Sequence, residues 1–195
     1  MVIAYHVVLG MYGFWLPNDP RGSGSNFVWS EQLRKYGPAT KTDSPQSVAG
    51  RPHDSRLRMA AKNDLKYPPV RLNEEQIEIL SQGFADAVRV LSLAIHACAI
   101  QAEHTHLVIS RGDHTIETAV AELKKRGTLA LTRSGKHPLM EHRVSGRIHT
   151  PWGRGFWKRY LNDREDVERS IRYTNNNLSD DQQAKQQFDF LQEYV

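Results

Sequence analysis

The sequence predicts an α+β fold, an antiparallel sheet with helices packed on one face and a long insertion near the N-terminus. Three observations lead there. Short β-branched and aromatic segments alternate with amphipathic helical patterns, two of those segments lie back to back as a hairpin, and a stretch rich in Pro and Gly separates the first strand from the rest. The 195 residues and 39% hydrophobic content fit one domain over 1–195, with a short tail from about residue 180.

Residues 2–9 (VIAYHVVL) have the β-branched and aromatic content of a buried strand. From 17 to 71 regular patterning dissolves into runs such as LPNDPRGSGS, YGPATKTDSPQS and KYPPV, so this part reads as an insertion with short helical pieces near 29–36 and 54–65. Asn73 has the character of an N-cap, and Ile77, Leu80, Phe84, Val88 and Leu91 follow at helical spacing with acids in the first turn. Segments 93–101 and 104–111 form the predicted hairpin. Thr115, with Thr118 three residues on, opens a basic helix that Gly135 and Pro138 stop. GFWKRYLN (155–162) reads as a strand, Asn162 or Asp163 caps a last long helix, and a short helix is expected in 184–195.

Cys98 is the only cysteine, which excludes an internal disulfide and a cysteine-rich zinc site and fits a reducing, cytoplasmic environment. No apolar run approaches the roughly 20 residues that span a bilayer, so no membrane partner is expected. The N-terminus lacks a basic region and cleavage site and reads as part of the fold. The net charge of +4 is unevenly distributed: residues 18–72 carry 10 basic and 5 acidic side chains, residues 111–172 carry 14 and 8, and the remainder 2 and 9. Such segregation suits a basic face for a polyanion, and equally a solvated mixed surface.

His104 and His106 stand at i and i+2, which on a strand directs both imidazoles to one face, where two ring nitrogens can bind one ion. Nine histidines produce about 0.4 such pairs by chance, so the spacing gains meaning only from its place at the start of an apolar strand. The zinc-hydrolase patterns His-x-His-x-Asp-His and His-Glu-x-x-His are absent. With no thiolate and no obvious third histidine, the pair suits an open site that borrows an oxygen ligand and holds Mg²⁺ or Mn²⁺. Tyr173 and Asn177 are four residues apart, on one face of the last helix if it extends that far. A phenol is a nucleophile that needs a cation or a base beside it, and Asn177 offers the missing oxygen.

At these residues the sequence resembles a family. AEHTHLVIS (102–110) resembles the His-hydrophobic-His signature of HUH single-strand endonucleases. WGRGFWKRYLNDREDVERSIRYTNNN (152–177) resembles the C-terminal signature of the REP-associated tyrosine transposases, and YHVVLGMYGFWLPNDPRGS is similar to the start of transposase-like members. Thr105 departs from the usual bulky apolar middle residue, and Leu178 stands where many members have proline. The resemblance implies a ferredoxin-like (RRM-like) sheet backed by helices and metal-dependent nicking and rejoining of single-stranded DNA. In that reading Tyr173 attacks a phosphodiester and leaves a 5′-phosphotyrosine, while His104, His106 and Asn177 hold one Mg²⁺ or Mn²⁺. Lys124, Lys125 and Arg126, with Arg143, Arg147, Arg154, Lys158 and Arg159, would neutralise phosphates. Trp157, with Trp152 and Phe156, would stack on bases or pack in the core, and the turn from Trp15 to Arg21 would contact a DNA hairpin or serve only as a turn. Hairpin-containing repeats, a homodimer and a nucleoid-associated cytoplasmic location complete these expectations. Two alternatives remain: a non-catalytic RRM-like single-strand-binding module, for which an RNP1 motif is missing, and a domesticated, inactive transposase.

Overall fold

Alternation along the first strand, β1 (Ala4–Gly10), divides the molecule, because Val7 and Leu9 enter one core while Ala4 enters a second on the opposite face. The computed structural model describes residues 1–19, 27–28, 30–40 and 52–195. Four strands, β1, β2 (Ile95–Ile100), β3 (His104–Ser110) and β4 (Trp157–Leu161), form one antiparallel sheet in the order β2-β3-β1-β4. The register of the central pair places Val8 opposite His106 and Gly10 opposite His104.

Two long helices close one face. In α2 (Glu74–Leu91) the Asn73 side chain accepts from the Gln76 N–H at 2.9 Å and the Gln76 side chain accepts from the Asn73 N–H at 3.0 Å, a reciprocal cap that fixes where the helix starts. In α3 (Ile116–Arg133) the Thr115 hydroxyl accepts from the Thr118 N–H at 3.2 Å. Leu80 and Phe84 of α2 and Val120, Leu123 and Leu131 of α3 bury against Leu9, Leu107 and Ile109 of the sheet. The helices approach at Gly83 and Gly127, where a methyl on Gly83 would lie 2.7 Å from the Arg126 carbonyl oxygen, so only glycine permits the crossing. Strand, α2, hairpin, α3 and strand make the β-α-β-β-α-β ferredoxin-like arrangement.

The final long helix, α4 (Arg164–Asn175), lies on the other face. Its N-cap Asp163 accepts from the Asp166 N–H at 2.8 Å. Val167 packs with Ala4, Ala97, Val108 and Leu161 in a second, smaller core. The layer of α2 and α3 matches the sequence expectation, and α4 adds a second layer across the sheet.

The expected insertion contains a 3-10 turn over Glu31–Tyr36 and α1 (Ser55–Asn63), which share a satellite core of Leu16, Leu33 and Ala61. Its end is pinned to the body by the Val70 N–H donating to the Tyr12 carbonyl and by an Arg71–Glu103 ion pair at 3.0 Å. The tail helix, α5 (Asp180–Lys185), comes earlier than expected, and the residues after it run along the edge of β2. Among the described residues no helix is long and apolar enough to cross a membrane.

Candidate active site

Three histidines and a tyrosine meet on the α4 face of the sheet. His104 and His106 of β3 project to this face with ring centroids 4.9 Å apart, as their i, i+2 spacing requires. His6 of β1 projects beside them, with its Nε2 3.1 Å from Nδ1 of His106. Tyr173 reaches in from α4, its ring edge-on to His6 at 5.6 Å and to His106 at 5.7 Å. Both of these histidines are buried, whereas Tyr173 is 46% exposed and open to solvent.

The walls of the site follow from local sequence. Phe14 stacks on His104 with centroids 4.6 Å apart, which it can do because β1 ends at Gly10 opposite that histidine. A Cβ on Gly10 would come within 3.0 Å of the Phe14 ring and 3.1 Å of Trp15. Trp157 of β4 stands edge-on to His6 at 5.5 Å. Arg159, two residues on and on the same face, reaches Asp166 of α4 at 3.3 Å and ties the helix to the sheet. Burial, and secondarily the Arg159 charge, pulls His6 down to about 4; burial and the neighbouring His6 and His104 hold His106 well below the ordinary histidine range. Both rings are therefore neutral near pH 7 and carry ligand-competent lone pairs.

Asn177 lies beyond the end of α4, in the turn that follows Asn175. Its amide donates to the Tyr173 carbonyl at 2.7 Å, and its own carbonyl accepts from Gln101 beside the β2–β3 turn that precedes His104. With the amide NH₂ engaged, Oδ1 is the side-chain atom left able to accept or coordinate. Among the described residues no group of three or more His, Cys, Asp or Glu side chains is arranged to hold a metal ion. An ion held by His104 and His106 would need neutral oxygen ligands, a mixed donor set that Mn²⁺ or Mg²⁺ with bound waters accepts.

The expected DNA contacts divide between the two faces. Trp157 and Arg159 belong to the site. Lys158 points the other way and pairs with Glu117 of α3. Lys125 and Arg126 both pair with Glu122 on α3, the layer on the far side of the sheet. Lys124 donates to the carbonyls of Gly153 at 3.1 Å and Gly155 at 2.6 Å, and burial lowers it to about 8. The α3 cluster thus lies across the sheet from Tyr173, because the apolar stripe of α3 packs against the opposite face. Trp152 is a core residue whose indole N–H donates to the Lys124 carbonyl at 3.0 Å, and Phe156 packs partly buried against the same core. Arg143 and Arg147 are exposed around a small turn, and Arg154 lies in a groove of about 650 Å³ with Lys125, Tyr12 and His149. Arg21 lies outside the described residues. Tyr160, the other tyrosine near basic residues, packs edge-on to Tyr5 on the far face at 5.8 Å.

Sequence reasoning missed His6. A histidine inside VIAYHVVL is the signal that could have found it, because a polar ring in a buried strand calls for a partner. No protein-family profile matches the sequence, and no curated protein does. The chain is similar in structure to a REP-associated tyrosine transposase solved bound to a REP hairpin, with 13% identity over 90% of this chain and 66% of that one and a TM-score of 0.47. It therefore spans slightly under two thirds of that protein. A protein of Deinococcus radiodurans R1, provisionally described as a transposase, is similar with 11% identity over 89% of this chain and 92% of that one and a TM-score of 0.39. Identities this low say nothing of chemistry.

Proposed function

We propose that the protein nicks and rejoins single-stranded DNA through Tyr173, with His104, His106 and Asn177 as the ligands of one Mg²⁺ or Mn²⁺. The observation that carries this reading is the exposed Tyr173 phenol held edge-on against neutral, buried histidines on one sheet face. The Tyr173 oxygen attacks phosphorus, the phosphodiester breaks on the 3′-oxygen side, and a 5′-phosphotyrosine and a free 3′-hydroxyl result. Attack by that hydroxyl reverses the step, so no nucleotide cofactor is consumed. A bound divalent ion would supply charge neutralisation at the scissile phosphate. Arg159 and Trp157 border the site and would meet the flanking phosphate and base.

The test is incubation with labelled single-stranded oligonucleotides and Mn²⁺, followed by denaturing electrophoresis. A 5′-linked adduct is expected with the unaltered protein and the Tyr160→Phe variant and should vanish with Tyr173→Phe, which removes one hydroxyl and leaves the ring contacts in place. An adduct that persists in Tyr173→Phe and disappears in Tyr160→Phe would assign the nucleophile to β4. Strand binding without any adduct in the unaltered protein would favour a non-catalytic single-strand-binding module.

A further inference from the structure

The contact between His6 and His106 links β1 to β3 and joins residues 100 positions apart. Both rings are buried, and the two nitrogens are 3.1 Å apart. Each neutral imidazole has one N–H and one lone pair, so this contact is a hydrogen bond only when one ring donates and the other accepts. Two arrangements satisfy it. If His6 Nε2 carries the proton, Nδ1 of His106 accepts and the His106 proton must sit on Nε2, which then cannot bind a cation. If His106 Nδ1 donates to His6 Nε2, the lone pair of His106 lies on Nε2, where a cation can take it.

We propose that His6 is a positioning residue that accepts the His106 Nδ1–H and so fixes His106 in its ligand-competent tautomer. This rests on the reading that His104 and His106 hold a divalent ion. Metal-binding imidazoles ordinarily pass their second N–H to a carboxylate or a carbonyl. Here a second imidazole fills that place, in a site buried enough that water is a poor substitute. His6 is itself oriented, since Trp157 stands edge-on to it from one neighbouring strand and Tyr173 from the helix above. The same ring therefore touches the nucleophile and the ligand, and the geometry of one sets that of the other.

The experiment is titration of the full chain with Mn²⁺, following the EPR signal of the free ion. His6→Phe keeps a ring against Trp157 and Tyr173 but removes the acceptor, and its Mn²⁺ dissociation constant should rise about 10–100-fold. His6→Gln places Oε1 at about the reach of the imidazole Nε2 and should stay within about threefold of the unaltered protein, whereas the shorter His6→Asn should behave like His6→Phe. Thermal stability gives the contrast, because a packing role would rank the affinities as it ranks the melting temperatures, with Phe above Gln. Mn²⁺ affinity of His6→Phe equal to that of the unaltered protein would overturn the proposal while leaving the metal reading intact. Failure of the unaltered protein to bind Mn²⁺ would overturn the metal reading and this proposal with it. Should His6→Phe not fold, ¹⁵N imidazole spectra of the unaltered protein with Mg²⁺ decide the matter: protonated Nδ1 on His106 supports the proposal, and protonated Nε2 overturns it.

Discussion

Replacing Thr105 by valine should stabilise the protein by about 1–2 kcal/mol. Thr105 is the middle residue of the His-Thr-His run, and strand alternation turns it away from both histidines into the α2–α3 core, where it is fully buried. Among the described residues its hydroxyl has no hydrogen-bond partner. A buried, unsatisfied hydroxyl costs about 1–3 kcal/mol, and valine replaces it with a methyl of nearly the same size. Urea unfolding should show a higher midpoint at an unchanged slope, and heating a rise of about 2–4 °C per kcal/mol for a chain of this length. Thr105→Ser keeps the hydroxyl and loses the methyl, so it should fall by about 1 kcal/mol. Adduct yield should not change, because the side chain faces away from Tyr173. A Thr105→Val protein less stable than the original would mean that the hydroxyl is satisfied, and the reasoning would fail.

Gln186→Leu should destabilise by about 2–4 kcal/mol in urea, because it strips partners from both the N–H and the carbonyl of buried Ile100, and unchanged stability would contradict that pairing. In metal-free protein, stability should be complete above about pH 6.5 and fall as pH drops toward about 4, since the unfolded chain protonates His6 before the folded one does. The gap from 6.5 to about 4 corresponds to about 3 kcal/mol for His6 alone, with His106 acting in the same direction, and a flat urea midpoint across this window would refute it. Replacing Lys125 and Arg126 together by alanine should alter the log–log salt slope of strand binding by less than the roughly 0.7 of one neutralised phosphate, whereas a loss of two such steps would place the strand on α3.

Much of the fold is legible in local sequence because its signals are local. Asn73, Thr115 and Asp163 each cap the helix that their side chains announce, and the hairpin falls at Ile95–Ile100 and His104–Ser110 within the segments that read as strands. The short helical pieces expected near 29–36 and 54–65 correspond to Glu31–Tyr36 and Ser55–Asn63. The shared face of His104 and His106 follows from period-two alternation alone. What the sequence hides is whatever depends on pairing across distance. His6 joins His106 only through the register of β1 on β3, and α3 lies behind the sheet because its apolar stripe outweighs its lysines in choosing a face. The i, i+4 spacing of Tyr173 and Asn177 depended on how far α4 runs; it ends at Asn175, and the Asn177 amide donates back to the Tyr173 carbonyl.

The tail after α5 has a consequence for assembly. The Gln186 side chain presents one acceptor and one donor to Ile100, as a single residue of a neighbouring strand would, while the Gln192 N–H donates to the Ile95 carbonyl and Leu191 bridges Ile95. Both ends of β2 are thus occupied from within the chain. An open edge of this kind is a template on which a sheet recruits strands from other molecules. A second copy could extend the sheet at β2 only by first displacing the tail, and a chain ending at Lys185 would leave the hydrogen-bonding groups of Ile95 and Ile100 open to any extended peptide nearby.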